Sequence, residues 1–544
     1  MTESSPATST PRATSPVAGS AAPAGFNAAE YLVERHVARG AGERTAVVSA
    51  SRTLSYTELA AEVRRVAAGL RALGVRPEER VLMCMTDEVE LFSAILGAMY
   101  LGAVAVPCST MLTGGELGKL VADSRARVVL GSTEFADAAR TGVEAAPDVE
   151  TVVFTDEWQR LREAGELERP YPTWEDSPAL WLYTSGTTGM PKAAMHRHAD
   201  IRFVARNYGQ RVLGITAEDR CLSVAKLFFA YGIGNSMFFP LSVGATALLE
   251  PARPTPQLVA QRAKADGATL LFGTPSFWGP LLASDIADDT FGSVRQGISA
   301  GEALPARMLH GMRDRFGVEV LDGIGSTEML HIFISNRPGS ARPSSSGTPV
   351  PGYEVQLRDE QGGVIEEVDR AGELYVRGDS AAIGYWCRAA TSRQVFLGEW
   401  TRTGDTYVRN TDGTYTCLGR FNDMIKAGGI WVTPSEVEDR LLEHPDVAEA
   451  VVVGVPDSDE LDRPVACVVP MPGRHIDGDE LIQWCRETLA AFKRPRAVVE
   501  LAELPKTATG KIRRNVLRAM VARSGDAAES AESAEPTEPA AVTS

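Results

Sequence analysis

The sequence predicts an α/β protein: a large N-terminal domain of parallel α/β subdomains carrying a small β subdomain, followed by a small α+β C-terminal domain. Three observations predict it. The chain has 544 residues, beyond the length at which a single core stops growing. Between residues 80 and 322 short apolar runs alternate with segments of helical periodicity, the pattern of a parallel sheet covered by helices. From 353 the texture changes to short strands with turns, and after Arg420 it changes again, to a compact mixed module of about 100 residues.

Residues 1–25 are rich in Ala, Ser, Thr and Pro, with Arg12 the only basic side chain; they read as a disordered tail without the apolar segment of a signal peptide. An opening helix follows, then a segment in which Leu59, Val63, Val66, Leu70 and Leu73 recur at helical spacing behind a cap at Ser55 or Thr57. Next come a strand at 80–85, helix 87–102, strand 103–107, helix 115–124, strand 127–131, a helix near 133–141 and strand 151–154. The uncharged run Leu91–Cys108 approaches the length of a membrane span. Gly97, Gly102 and Pro107 interrupt it, so it reads as a buried helix entering a buried strand. A buried strand, Pro178–Leu182, is expected to deliver its end into a turn.

A second alternating set places strands near 221–224, 245–250, 269–273, 295–299 and 318–322, with helices at 198–212, 256–266 and 303–316. Asp359 to Gly363 signals a hairpin turn. Beyond Arg420 the pattern predicts helix 434–443, strands 448–454 and 465–470, and helix 477–490, with a second disordered tail at 523–544.

A formal charge of −16 at pH 7 argues against a general nucleic-acid surface, which needs a basic field. Any phosphate site must be local. The seven cysteines include no C-x-x-C pair, which suggests neither a zinc site nor a disulfide framework and fits a reducing cytoplasm.

The most informative stretch is Tyr183-Thr184-Ser185-Gly186-Thr187-Thr188-Gly189-Met190-Pro191-Lys192. Small residues leave backbone N–H groups free to point at an anion, hydroxyls add donors, and Lys192 adds a positive charge. It is not a Walker A loop, because Gly186 and Gly189 are too close and Lys192 does not directly follow the second glycine. On composition alone a flexible surface loop fits as well. Asp322-Gly323-Ile324-Gly325-Ser326-Thr327-Glu328 follows a predicted strand; it offers a hydroxyl and a metal-ligating carboxylate, or equally a capped helix start. Ser299 to Pro305, including Gly301 and Glu302, is by itself a strand-to-helix turn. Asp405, Arg420 and Lys511, taken singly, are the kind of charge that usually sits on a surface.

Taken together and in order from Tyr183 to Arg514, these segments resemble the motifs of the adenylate-forming enzymes: acyl-CoA synthetases, peptide-synthetase adenylation domains and luciferases. The resemblance covers essentially the whole folded chain. It implies ATP and Mg²⁺, with Thr184, Ser185, Gly186, Thr187, Thr188, Gly189 and Lys192 around the phosphates. It implies Gly301 and Glu302 along adenine, and Asp322, Gly323 and Ile324 in the nucleotide site. Thr327 would touch the α-phosphate, Glu328 would hold the metal, and Asp405 would accept from both ribose hydroxyls, with Arg420 nearby. Lys511 would contact carboxylate and phosphate oxygens. The implied division is an N-terminal domain at 26–419, a hinge at 420–422 and a mobile C-terminal domain at 423–522, with Gly428 and Gly429 approaching the pantetheine arm of coenzyme A after rotation. Asn422 stands where the family usually has Asp or Lys.

The segment Lys226 to Asn235 lacks the carboxylate that pairs with an amino-acid ammonium, so such a substrate would be buried unpaired. With Met329 to Phe333 it resembles the benzoate–CoA ligase branch, implying that Ala230, Tyr231, His331 and Ile332 line a flat aryl pocket with His331 beside the carboxylate. On composition, Phe228-Phe229-Ala230-Tyr231-Gly232 reads as a core strand. The implied activity is ATP-dependent activation of benzoate or a close aryl acid, then transfer to coenzyme A. A carrier protein's phosphopantetheine is the alternative acceptor. A catalytically silent nucleotide-binding protein is the rival outside the class, and Asp405, Arg420, Glu328 and Lys511 argue against it. The implied protein is cytoplasmic, with no membrane or nucleic-acid partner; ring substituents and a homodimer stay open.

Overall fold

A computed structural model describes residues 24–144, 146–184, 190–420, 423, 425–427, 430–456, 462–506 and 512–522. Both tail expectations, apart from Ala24 and Gly25, fall outside those residues. The first sheet has six strands in the order Thr151–Phe154, Val128–Gly131, Arg80–Cys84, Val104–Pro107, Pro178–Thr184 and Lys192–Arg197. All run parallel except the last, which turns back on Pro178–Thr184. The second sheet has nine strands and is parallel from Thr45–Val48 through Thr246–Leu248, Arg220–Ser223, Leu270–Gly273 and Gln296–Ser299 to Val320–Gly325. There the chain reverses into Ile332–Ser335.

Helices Tyr56–Ala72 and Val89–Tyr100 lie in one continuous core with residues of both sheets, such as Val81, Val128, Val47 and Leu270. Every residue of Val89–Tyr100 except Glu90 is buried, which is what a helix apolar on all sides requires. This accounts for the uncharged run Leu91–Cys108. Among the described residues no helix is long and apolar enough to cross a membrane. Ser55 caps the first of these helices, accepting from Glu58 N at 3.2 Å.

The β subdomain is a separate sheet of six strands, built from Glu354–Arg358, Val364–Ile365, Gly372–Arg377, Phe396–Leu397, Trp400–Arg409 and Tyr415–Arg420. Its first hairpin closes at Asp359, whose carboxylate accepts from the N–H of Gln361 and Gly363 at 3.0 and 2.8 Å. The C-terminal segment has its own core, with Ile425, Val437, Leu441, Val452 and Leu481 buried together. It builds a three-stranded sheet of Val447–Pro456, Asp462–Pro470 and Ala497–Glu500 against helices Pro434–Leu442 and Gly478–Arg486.

Two expectations fail locally. Phe228-Phe229-Ala230-Tyr231-Gly232 is not a strand: Phe229 precedes a helical run, Ala230–Ile233, that continues through Gly234–Phe238 to Val243. An apolar run this short carries no decisive period, and burial on all sides erases the polar face that would reveal a helix. The expected helix 198–212 is α-helical only over His198–Val204 and widens into a π-helix at Ala205–Gln210. All seven cysteines are free.

Candidate active site

The strand Pro178–Thr184 ends opposite its neighbour, with Thr184 the register partner of Lys192. The two predicted anchors of the phosphate loop therefore stand side by side. Ser185, Gly186, Thr187, Thr188 and Gly189 lie outside the described residues, as do Asn422, Gly428, Gly429 and Lys511.

Across from Lys192 sits the turn Thr327–Met329, a short 3₁₀ helix capped by Ser326. The capped-turn reading of Asp322 to Glu328 holds, as a 3₁₀ turn and not the start of an α-helix. Four contacts fix it. The Tyr385 hydroxyl donates to Glu328 Oε1 at 2.5 Å, and the Ala382 N–H donates to the Glu328 carbonyl at 2.8 Å. Ser380 Oγ donates to the Met329 carbonyl at 2.8 Å, and His196 Nε2 donates to the Thr327 carbonyl at 2.7 Å. His196 and Asp200 are fully buried and paired at 3.1 Å. The Lys192 ammonium lies 4.6 Å from the centroid of the Tyr385 ring, a cation–π contact. Tyr385, His196 and Asp200 were not legible as site residues; the one signal was that His196 and Asp200 follow the phosphate loop four residues apart.

The glycines of the motif serve the fold first. A Cβ on Gly323 would meet the Ile334 carbonyl oxygen at 2.9 Å, and one on Gly325 would meet that of His331 at 2.5 Å. They let the strand Val320–Gly325 lie close against Ile332–Ser335. Asp322 is buried, and its Oδ1 has no hydrogen-bond partner; burial pushes its carboxyl well above the usual range, against the pull of the Leu304 and Gly323 N–H groups. An orphaned buried acceptor is a costly feature that invites a donor.

Asp405 is buried and is the register partner of Arg420 across the strands Trp400–Arg409 and Tyr415–Arg420. Burial, then Asp405, then more weakly Asp322 raise the Cys417 thiol to about 12. Gly301 adopts φ +98°, a conformation glycine alone adopts freely; Glu302 beside it is half-buried.

Only one residue, Leu330, separates the Thr327–Met329 turn from His331. Leu330 is buried with φ +65°, a strained conformation for a leucine. His331 is 2% exposed, and its Nε2 faces the Tyr231 carbonyl at 3.3 Å and Asn235 Oδ1 at 3.1 Å. Nε2 therefore carries the proton. Burial drives the imidazole down to about 3, against the Tyr231 carbonyl, which pulls it up. The unpartnered Nδ1 is then an acceptor, so the neutral ring presents no proton to a carboxylate on that side. Its ring packs among Tyr208, Tyr231 and Phe239 at centroid distances of 5.4, 5.5 and 4.5 Å. The Tyr231 hydroxyl is already engaged with the carbonyls of Gly273 and Ile298 at 3.2 and 3.0 Å, leaving its ring for apolar contact. Ala230 and Ile332 are buried beside them.

Among the described residues no group of three His, Cys, Asp or Glu side chains is poised to hold a metal ion.

Comparison with known proteins gives the family. The AMP-binding enzyme family matches residues 33–386, and the AMP-binding enzyme C-terminal domain matches 436–511. The chain is 41% identical to a benzoate–CoA ligase of Thauera aromatica, over 91% of this chain and 96% of that one. It is 40% identical to a 4-hydroxybenzoate–CoA/benzoate–CoA ligase of Rhodopseudomonas palustris, over 93% and 96%. The crystal structure of a benzoate CoA ligase from Burkholderia xenovorans LB400 superposes with a TM-score of 0.85 at 40% identity, covering 91% of this chain and all of that one. With both family domains present and such relatives spanning nearly its full length, the chain belongs to the adenylate-forming AMP-binding enzymes, in their benzoate–CoA ligase branch.

Proposed function

We propose that the protein activates benzoate or a close aryl carboxylic acid with ATP and then joins it to the thiol of coenzyme A. In the first half-reaction a carboxylate oxygen attacks the α-phosphorus and pyrophosphate leaves. In the second the thiol sulfur attacks the acyl carbon and AMP leaves. One observation carries this reading: only Met329 and Leu330 separate Thr327 and Glu328 from His331 and Ile332 in one hairpin, so the groups for phosphate and for acid share a rigid support.

In this reading Lys192 and the loop 184–189 hold the phosphates, and Thr327 donates its hydroxyl to the α-phosphate. Asp405 and Arg420 hold the ribose, while Gly301, Glu302, Gly323 and Ile324 flank the base. The unpartnered Oδ1 of Asp322 suits the exocyclic amine of adenine. Lys511 bridges the acid's carboxylate and the α-phosphate, where a preorganised cation counts most. Glu328 together with phosphate oxygens suits Mg²⁺, which is commonly held by one or two carboxylates plus substrate phosphates; the ion would supply charge neutralisation. We assign the domains to 26–419 and 423–522, joined by a hinge at 420–422 centred on Asn422, with Gly428 and Gly429 meeting the pantetheine. The free thiols suit a cytoplasmic protein.

The test is an acid panel assayed by pyrophosphate release, each acid with and without coenzyme A. Benzoate should be preferred, with each added methylene costing about 10- to 200-fold. Faster turnover of hexanoate or acetate than of benzoate would sink the aryl reading. Lys511→Ala should abolish adenylation while sparing thioester formation from supplied benzoyl-adenylate.

A further inference from the structure

Asp87 is a buried carboxylate that neither half-reaction uses. It is 5% exposed and lies between the strand Arg80–Cys84 and the helix Val89–Tyr100. Its two oxygens reach from beside the first sheet to a single backbone donor, the Leu227 N–H, at 3.3 and 3.1 Å. The carbonyl of that same peptide unit, on Lys226, accepts from the Phe229 N–H at 3.0 Å, and a Cβ on Gly232 would fall 1.9 Å from it. Both faces of the Lys226–Leu227 peptide are thus held, one by Asp87 and one by the turn that carries Ala230 and Tyr231. The Lys226 side chain cannot loosen the arrangement, because its ammonium donates to the carbonyls of Glu250 and, at 2.7 Å, of Ala252.

We propose that Asp87 is a positioning residue for acid recognition: it fixes the Lys226–Leu227 peptide and, through it, the placement of Ala230 and Tyr231 against the aryl ring. This rests on reading Ala230 and Tyr231 as part of the acid pocket.

Asp87 resists ionising in the folded chain. Burial lifts its carboxyl to about 7, against the pull of the Lys226 ammonium and the Leu227 N–H, with Glu88 and Glu250 adding to the rise. The folded value stands above the unfolded value of about 3.9, so the stability this group contributes is present below that pH and is lost as pH rises through 7. Asp87→Asn removes the buried charge but weakens the grip on Leu227, since a charged acceptor bonds about twice as strongly as a neutral one.

The experiment measures KM for benzoate and for ATP, together with thermal melting at pH 8, in the full-length wild type, Asp87→Asn and Asp87→Ala. Asp87→Asn should raise the benzoate KM about 5- to 10-fold, leave the ATP KM within about twofold, and melt no lower than wild type. Asp87→Ala, with no acceptor, should raise the benzoate KM further. The wild-type benzoate KM should fall as pH rises through 7, and that slope should vanish in Asp87→Asn. An unchanged benzoate KM in both variants, or matched rises in both KM values with lowered melting, overturns the proposal. If the wild type itself prefers aliphatic acids, the aryl reading fails instead, and the role of Asp87 is read from the KM of the preferred acid.

Discussion

The phenol of Tyr385 joins two charges far apart in the chain: its hydroxyl donates to Glu328 Oε1 at 2.5 Å, and its ring faces the Lys192 ammonium at 4.6 Å. Tyr385→Phe keeps the ring and the cation contact but frees the carboxylate. A hydrogen bond to a charged group contributes about 1.5–3 kcal/mol, so pyrophosphate release should slow by about tenfold or more, with little change in melting. An unaltered rate would show that Glu328 holds its place without the phenol.

Asp405 and Arg420 are register partners in adjacent strands, and in the proposed function this pair holds the ribose. Asp405→Asn trades a charged acceptor for a neutral one at both hydroxyls, and the KM for ATP should rise about 10- to 100-fold. The wild type should discriminate strongly against 2′,3′-dideoxy-ATP, and the variant should not. Equal discrimination by both would remove Asp405 from the ribose.

These residues differ in how far the sequence exposed them. Asp405, Arg420, Glu328 and Lys192 stood out as candidates because their order along the chain resembles that of a known family. Strands such as Thr151–Phe154 and helices such as Pro256–Asp266 were legible because turn residues punctuate them. Asp87, His196 and Tyr385 were not. His196 meets Thr327 across 131 residues and Asp87 meets Leu227 across 140, and local periodicity carries no information about partners that only the packing of two sheets brings together. The helical course of Ala230–Ile233 was hidden for a different reason, since a wholly buried segment shows no polar face.

Gly234 gives His331 its room: a Cβ there would lie 2.3 Å from His331 Cδ2. The ring is hemmed in by Tyr208, Tyr231 and Phe239, so it has little space to retreat. Gly234→Ala should lower stability by about 1–3 kcal/mol, the usual cost of overpacking. The benzoate KM should rise while that for ATP stays nearly constant. Parallel rises in both would mean that the disturbance spreads through Leu330 into the Thr327–Met329 turn.

His331 also makes a prediction about pH. Burial holds it near 3, and holds His36 and His198 near 4, against an unfolded value of about 6.5. A histidine with a depressed folded pKa contributes stability that is present above the unfolded value and is lost as pH falls toward the folded one, because the unfolded chain takes up the proton first. His331→Gln keeps a neutral donor toward the Tyr231 carbonyl and removes the titrating group. At pH 7 the variant should be the less stable of the two, through poorer packing. Between pH 7 and 5.5 the gap should narrow by about 1.3 kcal/mol, the linkage due to one proton. Stopping at 5.5 keeps the chain above its isoelectric point of about 5.1, where association would obscure unfolding. Denaturant unfolding of both proteins at the two pH values gives the comparison directly; a gap independent of pH would mean that His331 titrates alike in the folded and unfolded chains, and a gap that widens would mean that the folded ring keeps its proton and meets the substrate's carboxylate as a cation.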